Sequence, residues 1–181
     1  MLKTKRIYYV QGFNLLEVLI TISIVGILAS VALPSFLESI KSTNMSNLAN
    51  DMHRSIVVAR SEAIKRGVNV TVCTSNPDKT DCSNAGSWEG GWIVREVTAV
   101  ADFDPVISIY APFDSNYSLH GTTTAYKSNV VFSAAGEAIA SGDMVLCYKN
   151  EVDAQTRTIV INRFGKVSVR GIDRKPQTSC Y

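Results

Sequence analysis

The chain has 181 residues, 46% hydrophobic and 19% charged, with a formal net charge of +2. That length suits one ordinary domain plus one special element, and the composition excludes wholesale disorder and a multi-span membrane protein. A balance near zero also counts against a uniformly basic nucleic-acid binder, provided the charge is evenly spread.

Residues 1–12 carry Lys3, Lys5 and Arg6 and no acid. From Phe13 the chain turns apolar (FNLLEVLITISIVGILASVALPSFL), and between Val18 and Leu33 no residue is charged. As a helix rising 1.5 Å per residue, residues 13–33 are long enough to cross a hydrocarbon core of about 30 Å. The basic flank would stay in the cytoplasm, with the remainder of the chain outside. Glu17 interrupts the apolar run, where an unpaired carboxylate costs about 2–3 kcal/mol or more. It needs a cationic partner, and the nearby sequence offers none. Cleavage after Gly12 would create one, the α-amine of Phe13 on a neighbouring subunit.

Gly12-Phe13 followed by Asn-Leu-Leu-Glu-Val-Leu resembles the class III signal of type IV pilins and type II secretion pseudopilins. The resemblance implies cleavage after Gly12 by a membrane prepilin peptidase and methylation of the new terminus, giving N-methylphenylalanine at Phe13. It also implies that Glu17 guides assembly by pairing with the amine of an adjacent subunit. Asn14 stands where Thr is usual, and Leu16 where Ile is usual. Pro34 falls where pilins bend the helix, and a proline inside a helix removes a hydrogen bond and kinks it. The competing reading is an ordinary secretory signal, with Ser30-Val31-Ala32 as a small-x-small site before Leu33. Glu17 within its apolar core, and helical patterning beyond Pro34, count against it.

Past Pro34, Met45, Leu48, Met52, Ile56, Ala59 and Ala63 recur at steps of three and four, an apolar stripe on a helix reaching from Asn14 to Arg66. Lys65 and Arg66 suit the last turn, and Gly67 is the stop. His53 on this helix reads as a half-exposed helix residue. The period then becomes two. Strands are expected at 68–74 (VNVTVCT), 92–97 (WIVREV), 106–110 (VISIY), 129–133 (NVVFS), 144–148 (MVLCY), 156–163 (TRTIVINR) and 166–170 (KVSVR). Short loops between them favour antiparallel sheets with the helix on one face.

Cys73, Cys82, Cys147 and Cys180 all follow the apolar stretch, so they would lie in an oxidising compartment. Four cysteines allow three pairings. Cys73–Cys82 would close a small loop rich in turn residues, and Cys147–Cys180 would staple the tail to an internal strand. Zinc is the alternative, but there is no C-x-x-C and neither histidine lies near a cysteine, so no metal is expected.

The segments ARSEAIKRGVNVTVC and GSWEGGWIV resemble the FimT/FimU and GspH branch of minor pilins and pseudopilins, with looser similarity as far as Gly165. Trp92 reads as a core anchor, and Gly90-Gly91 as a turn or bulge that permits close backbone approach. The alternative for the Trp88/Trp92 pair is a stacking platform for bases. No nucleophile motif, phosphate loop or paired-histidine spacing occurs, so neither an enzyme nor a cofactor is expected. Glu62, Glu89 and Glu96 read as solvated positions.

From residue 157 to the end there are six bases, Arg157, Arg163, Lys166, Arg170, Arg174 and Lys175, against one acid, Asp173. Residues 13–156 carry −6 and residues 157–181 carry +5. TRTIVINRFGKVSVRG reads as a hairpin turning at Phe164-Gly165, with Lys166, Ser168 and Arg170 on one face of its second strand and Val167 and Val169 on the other. This hairpin resembles the Gly-Arg-x-Arg motif through which the FimT type binds DNA in natural transformation. Gly165 aligns, Lys166 replaces the first arginine, and Ser168 the second, with Arg170 two residues on. Arg163, Lys166, Arg170, Arg174 and Lys175 are therefore candidate contacts to double-stranded DNA. The alternative is a solvated edge strand on which cations discourage aggregation.

The expected protein is α+β and pilin-like. It has a cleaved leader (1–12), a membrane and assembly helix (13–37), an amphipathic half-helix (38–66) and a β-rich, disulfide-bonded head (67–181). Its expected partners are a prepilin peptidase, other pilins, and the pilus or secretion machinery of a bacterial inner membrane. It would be a single-pass protein with a periplasmic head before assembly, and part of a pilus afterwards. A GspH-like pseudopilin of type II secretion is the alternative.

Overall fold

A computed structural model describes residues 12–83, 87–97, 106–149, 153–171 and 173–176. The expected helix is present as α1, Leu15–Arg66. Asn14 caps its start, its side-chain oxygen accepting the Leu16 N–H at 3.3 Å. The helix is continuous through Pro34 and ends one residue before Gly67, whose N–H donates to the Ala63 carbonyl. The chain divides into two compact units, Met1–Ser42 and Thr43–Tyr181.

In the first unit α1 is long and apolar enough to cross a membrane. Its large apolar side chains are exposed, from Phe13 (82%) through Ile24 and Leu28 to Leu37 and Ile40.

The second unit holds the core. Met45, Ala49, Met52, Ile56, Ala59 and Ala63 are buried at steps of three and four, so one stripe of α1 faces the sheets. The expected stripe passed through Leu48. Ala49 is the residue fully buried there, and Leu48 packs at the margin. Each large apolar side chain so buried contributes about 1.5–3 kcal/mol.

Among the described residues nine strands follow: β1 Val70–Thr74, β2 Trp92–Glu96, β3 Val106–Tyr110, β4 Tyr117–Gly121, β5 Asn129–Phe132, β6 Gly142–Tyr148, β7 Asp153–Ile161, β8 Val167–Val169 and β9 Asp173–Pro176. They form two antiparallel sheets. One has the order β3-β2-β1-β5, and the other β4-β6-β7-β8 with β9 also on β7. Inner faces of both sheets share one buried cluster with α1, through Val72, Val94, Phe132, Leu119, Met144 and Ile159. β4 and β9 were not anticipated. Turn-forming residues bracket β4 on both sides, and β9 is charged with a terminal proline. Its pairing with the outer edge of β7 confers strand geometry, which Pro176 tolerates at an edge.

Trp92 is buried and stacks on Tyr110, centroids 5.1 Å apart and planes 11° apart, with Phe113 against its edge. Trp88, in a short 3₁₀ turn at Trp88–Gly90, is fully buried and donates its indole N–H to the Tyr126 carbonyl at 3.2 Å. Both indoles belong to the core, so neither forms a base-stacking surface. Gly91, at φ 90°, lies where a Cβ would come 2.5 Å from the Tyr110 carbonyl oxygen, the close approach expected of it. Tyr126 is buried and donates its hydroxyl to the Ala140 carbonyl at 2.6 Å. Burial, reinforced by Asp143, pushes its phenol up to about 12, so the donating form persists well above neutrality.

Cys73 and Cys82 form a disulfide, as expected, with Cα atoms 5.5 Å apart. The loop they close places Asp81 in an ion pair with Arg95, a buried arginine on β2. Cys147 is buried in β6, and its expected pairing with Cys180 lies outside the described residues. The three glutamates read as solvated are ion-paired and partly covered. Glu62 meets Lys65 and Arg66, Glu96 meets Arg66 at 2.5 Å, and Glu89 meets Lys149 at 2.8 Å. The Arg66 hydrogen bond holds Glu62 below its ordinary value. Sequence spacing exposes only the i, i+3 and i, i+4 pairs within α1, because Glu96 and Glu89 meet partners far along the chain.

Candidate assembly terminus and basic hairpin

Two sets of expected residues occupy separate units. In the first, Gly12, Phe13 and Asn14 precede α1, and Glu17 lies in its first turn. Phe13 and Glu17 are both exposed. A carboxylate in the first turn lies at the positive end of the helix dipole. Glu17 also stands three residues after the capping Asn14, the spacing of a capping box. No other charge occurs along the helix until Glu38. Residues 1–11 of the expected leader lie outside the described residues.

In the second unit, β7 and β8 form the expected hairpin, with Ile159 opposite Val169 and Ile161 opposite Val167. Lys166, Ser168 and Arg170 are exposed, while Val167 and Val169 pack against the core. The predicted division of faces is therefore present. Arg163 is exposed in the turn. Arg174 and Lys175 lie on β9, which continues along the same outer edge of β7; their side chains are outside the described residues. Arg157 differs from the other bases. Its guanidinium reaches back to α1 and donates to Ser46 Oγ at 2.7 Å, so this charge is spent on packing.

The turn itself is rigidly held. Gly165 donates to the Asn162 carbonyl (2.9 Å), Asn162 to the Lys166 carbonyl (3.0 Å), and Lys166 N–H to Asn162 Oδ1 (2.8 Å). The Arg163 carbonyl accepts from Ala138 at 3.1 Å. Gly165 is buried at φ 73°, and a Cβ there would collide with the Gly136 carbonyl oxygen and come 2.8 Å from Arg60 Nε. Arg60 reaches from α1 and donates that Nε to the Gly136 carbonyl at 2.9 Å. A groove of about 360 Å³ runs between α1 and the turn, lined by His53, Val57, Arg60, Ile64, Lys166 and Val167 among others. Spacing along one element could not reveal Arg60 or this groove, because its walls are more than 100 residues apart. Among the described residues no cluster of His, Cys, Asp or Glu could hold a metal ion.

Comparison with known proteins follows the same division. The family model described as "Type II transport protein GspH" matches residues 48–165, from within α1 through the head as far as the buried glycine of the turn. Lys166, Arg170 and β9 lie beyond that match. Two crystal forms of the type IV minor pilin FimU from Pseudomonas aeruginosa PAO1 share the fold. One superposes with a TM-score of 0.60 at 14% identity, covering 78% of this chain and 98% of that one. The other gives 0.57 at 15%, covering 75% and 99%. No curated protein matches the sequence.

Proposed function

The chain belongs to the GspH family of minor pilins and pseudopilins, structural subunits and not enzymes, and from that premise we propose that it assembles into a type IV pilus at or near the tip. In this reading a prepilin peptidase removes residues 1–12 and Phe13 is methylated. The apolar half of α1 holds the subunit in the inner membrane with its head in the periplasm, and then packs among other pilin helices. Pro34 is where that half would bend. One observation carries the reading: a helix whose large apolar side chains are exposed from Phe13 to Ile40, with a carboxylate at Glu17 as its single charge before Glu38. Such a surface requires lipid or other helices around it.

Membership of a family of type II transport proteins favours a second reading, a pseudopilin of a type II secretion system. Deletion of the gene, scored for surface pili and for protein export, separates the two. Pili should be lost and export retained; the opposite result would transfer the protein to the secretion system.

The exposed face of Lys166, Ser168 and Arg170 supports an added role in capturing DNA for transformation. The full chain in detergent should bind duplex DNA with an affinity that falls as salt rises. Lys166→Glu with Arg170→Glu should weaken binding and reduce the log–log salt slope by about 2, close to one per lost phosphate contact. A slope and affinity equal to those of the unaltered chain would reject this role.

A further inference from the structure

Phe164 stands at the tip of the β7–β8 turn with 74% of its surface exposed. Its exposure does not come from a slack loop, since four hydrogen bonds and the burial of Gly165 hold the residues around it. A large apolar side chain presented on a rigid tip is preorganised to meet a ligand, because little ordering remains to be done on binding. What surrounds it identifies the ligand. Arg163 precedes it, Lys166 follows two residues later, and Arg170 shares the exposed face of β8 with Lys166. No acid occurs between residues 156 and 171. The adjoining groove is lined by His53, Arg60 and Lys166 together with apolar Val57, Ile64 and Val167, and by no carboxylate.

An exposed aromatic ring whose charged neighbours along the hairpin are all cations, beside a groove both apolar and basic, matches the chemistry of an unpaired nucleotide. Its base has a π-face to stack, and its backbone has phosphates to neutralise. A duplex offers phosphates but keeps its bases stacked on one another. We propose that the β7–β8 turn binds single-stranded nucleic acid, with Phe164 stacking on an unpaired base. Arg163, Lys166 and Arg170 hold the flanking phosphates, and the groove beside Arg60 receives the adjoining sugar and phosphate. The inference rests on the DNA-capture role above and assigns it a preferred form of DNA, free or frayed ends and unpaired stretches.

The test is anisotropy of a labelled single strand of about 20 nucleotides, and of the duplex of the same sequence, with the full chain in detergent at about 50 mM salt. Phe164→Ala should weaken single-strand binding at least about fivefold and change duplex binding less than about twofold. Phe164→Trp should retain single-strand affinity, and its new exposed indole should be quenched by the single strand. Because residue 164 is exposed, both variants should keep the circular dichroism of the parent. Single-strand binding unchanged in Phe164→Ala, with no quenching in Phe164→Trp, overturns the stacking assignment while leaving DNA capture standing. Absence of binding to either form overturns both, and the tip would then be a contact for another protein.

Discussion

Glu17→Ala is expected to leave the subunit in the membrane and to remove it from filaments. The carboxylate opposes insertion of the isolated helix into lipid by about 2–3 kcal/mol, a cost that a neighbouring subunit's terminal amine would offset on assembly. Alanine removes the cost from the membrane-bound state and leaves the neighbour's amine unpaired in the filament. Both changes favour the membrane, so the ratio of filament to membrane protein should fall about 30-fold or more. Glu17→Asp, which keeps the charge on a shorter side chain, should retain part of the assembly. Glu17→Gln separates pairing from capping, because glutamine preserves the capping-box spacing from Asn14 but carries no charge. Immunoblots of sheared filaments against membranes provide the ratio. If the Gln variant assembled as well as the parent, ion pairing would be the wrong account of Glu17.

The second large effect lies in the head. Trp92→Ala should destabilise it by about 3–5 kcal/mol, since it removes a buried ring packed on Tyr110 and Phe113 and leaves a cavity that the close approach of Gly91 to Tyr110 resists filling. Trp92→Phe should cost far less. The indole N–H is buried without a hydrogen-bond partner, so phenylalanine loses ring area but also removes an orphaned donor. Denaturant unfolding measures both. A loss of less than about 1 kcal/mol in the alanine variant would show that the ring is not the anchor its burial implies.

The helix was readable almost to the residue, because each of its signals is local. Asn14 caps it, Lys65 and Arg66 end it before Gly67, and apolar residues recur with its own period. The β7–β8 hairpin was readable for the same reason, its alternation and turn lying within one continuous stretch. The Cys73–Cys82 pair closes a short loop and needed no long-range information. Glu17 stood out by chemistry alone, as a carboxylate within an apolar run.

What escaped the sequence depends on partners far along the chain. β9 is a strand because β7 offers it an edge, against the preference of Asp173, Arg174, Lys175 and Pro176 themselves. Arg157 counted as one more cation until folding placed Ser46 beside it. Glu89 looked solvated until Lys149 reached it. Phe164 lay inside an anticipated turn, yet only packing decides that Gly165 is buried against Arg60 and Gly136 while the ring next to it is left exposed. The sequence by itself determined the apolar segment, the helix and the sign of charge on the final strands, all properties of neighbours along the backbone. The tertiary structure alone decided which of those charges remain available, because availability depends on what other elements bring within hydrogen-bond distance.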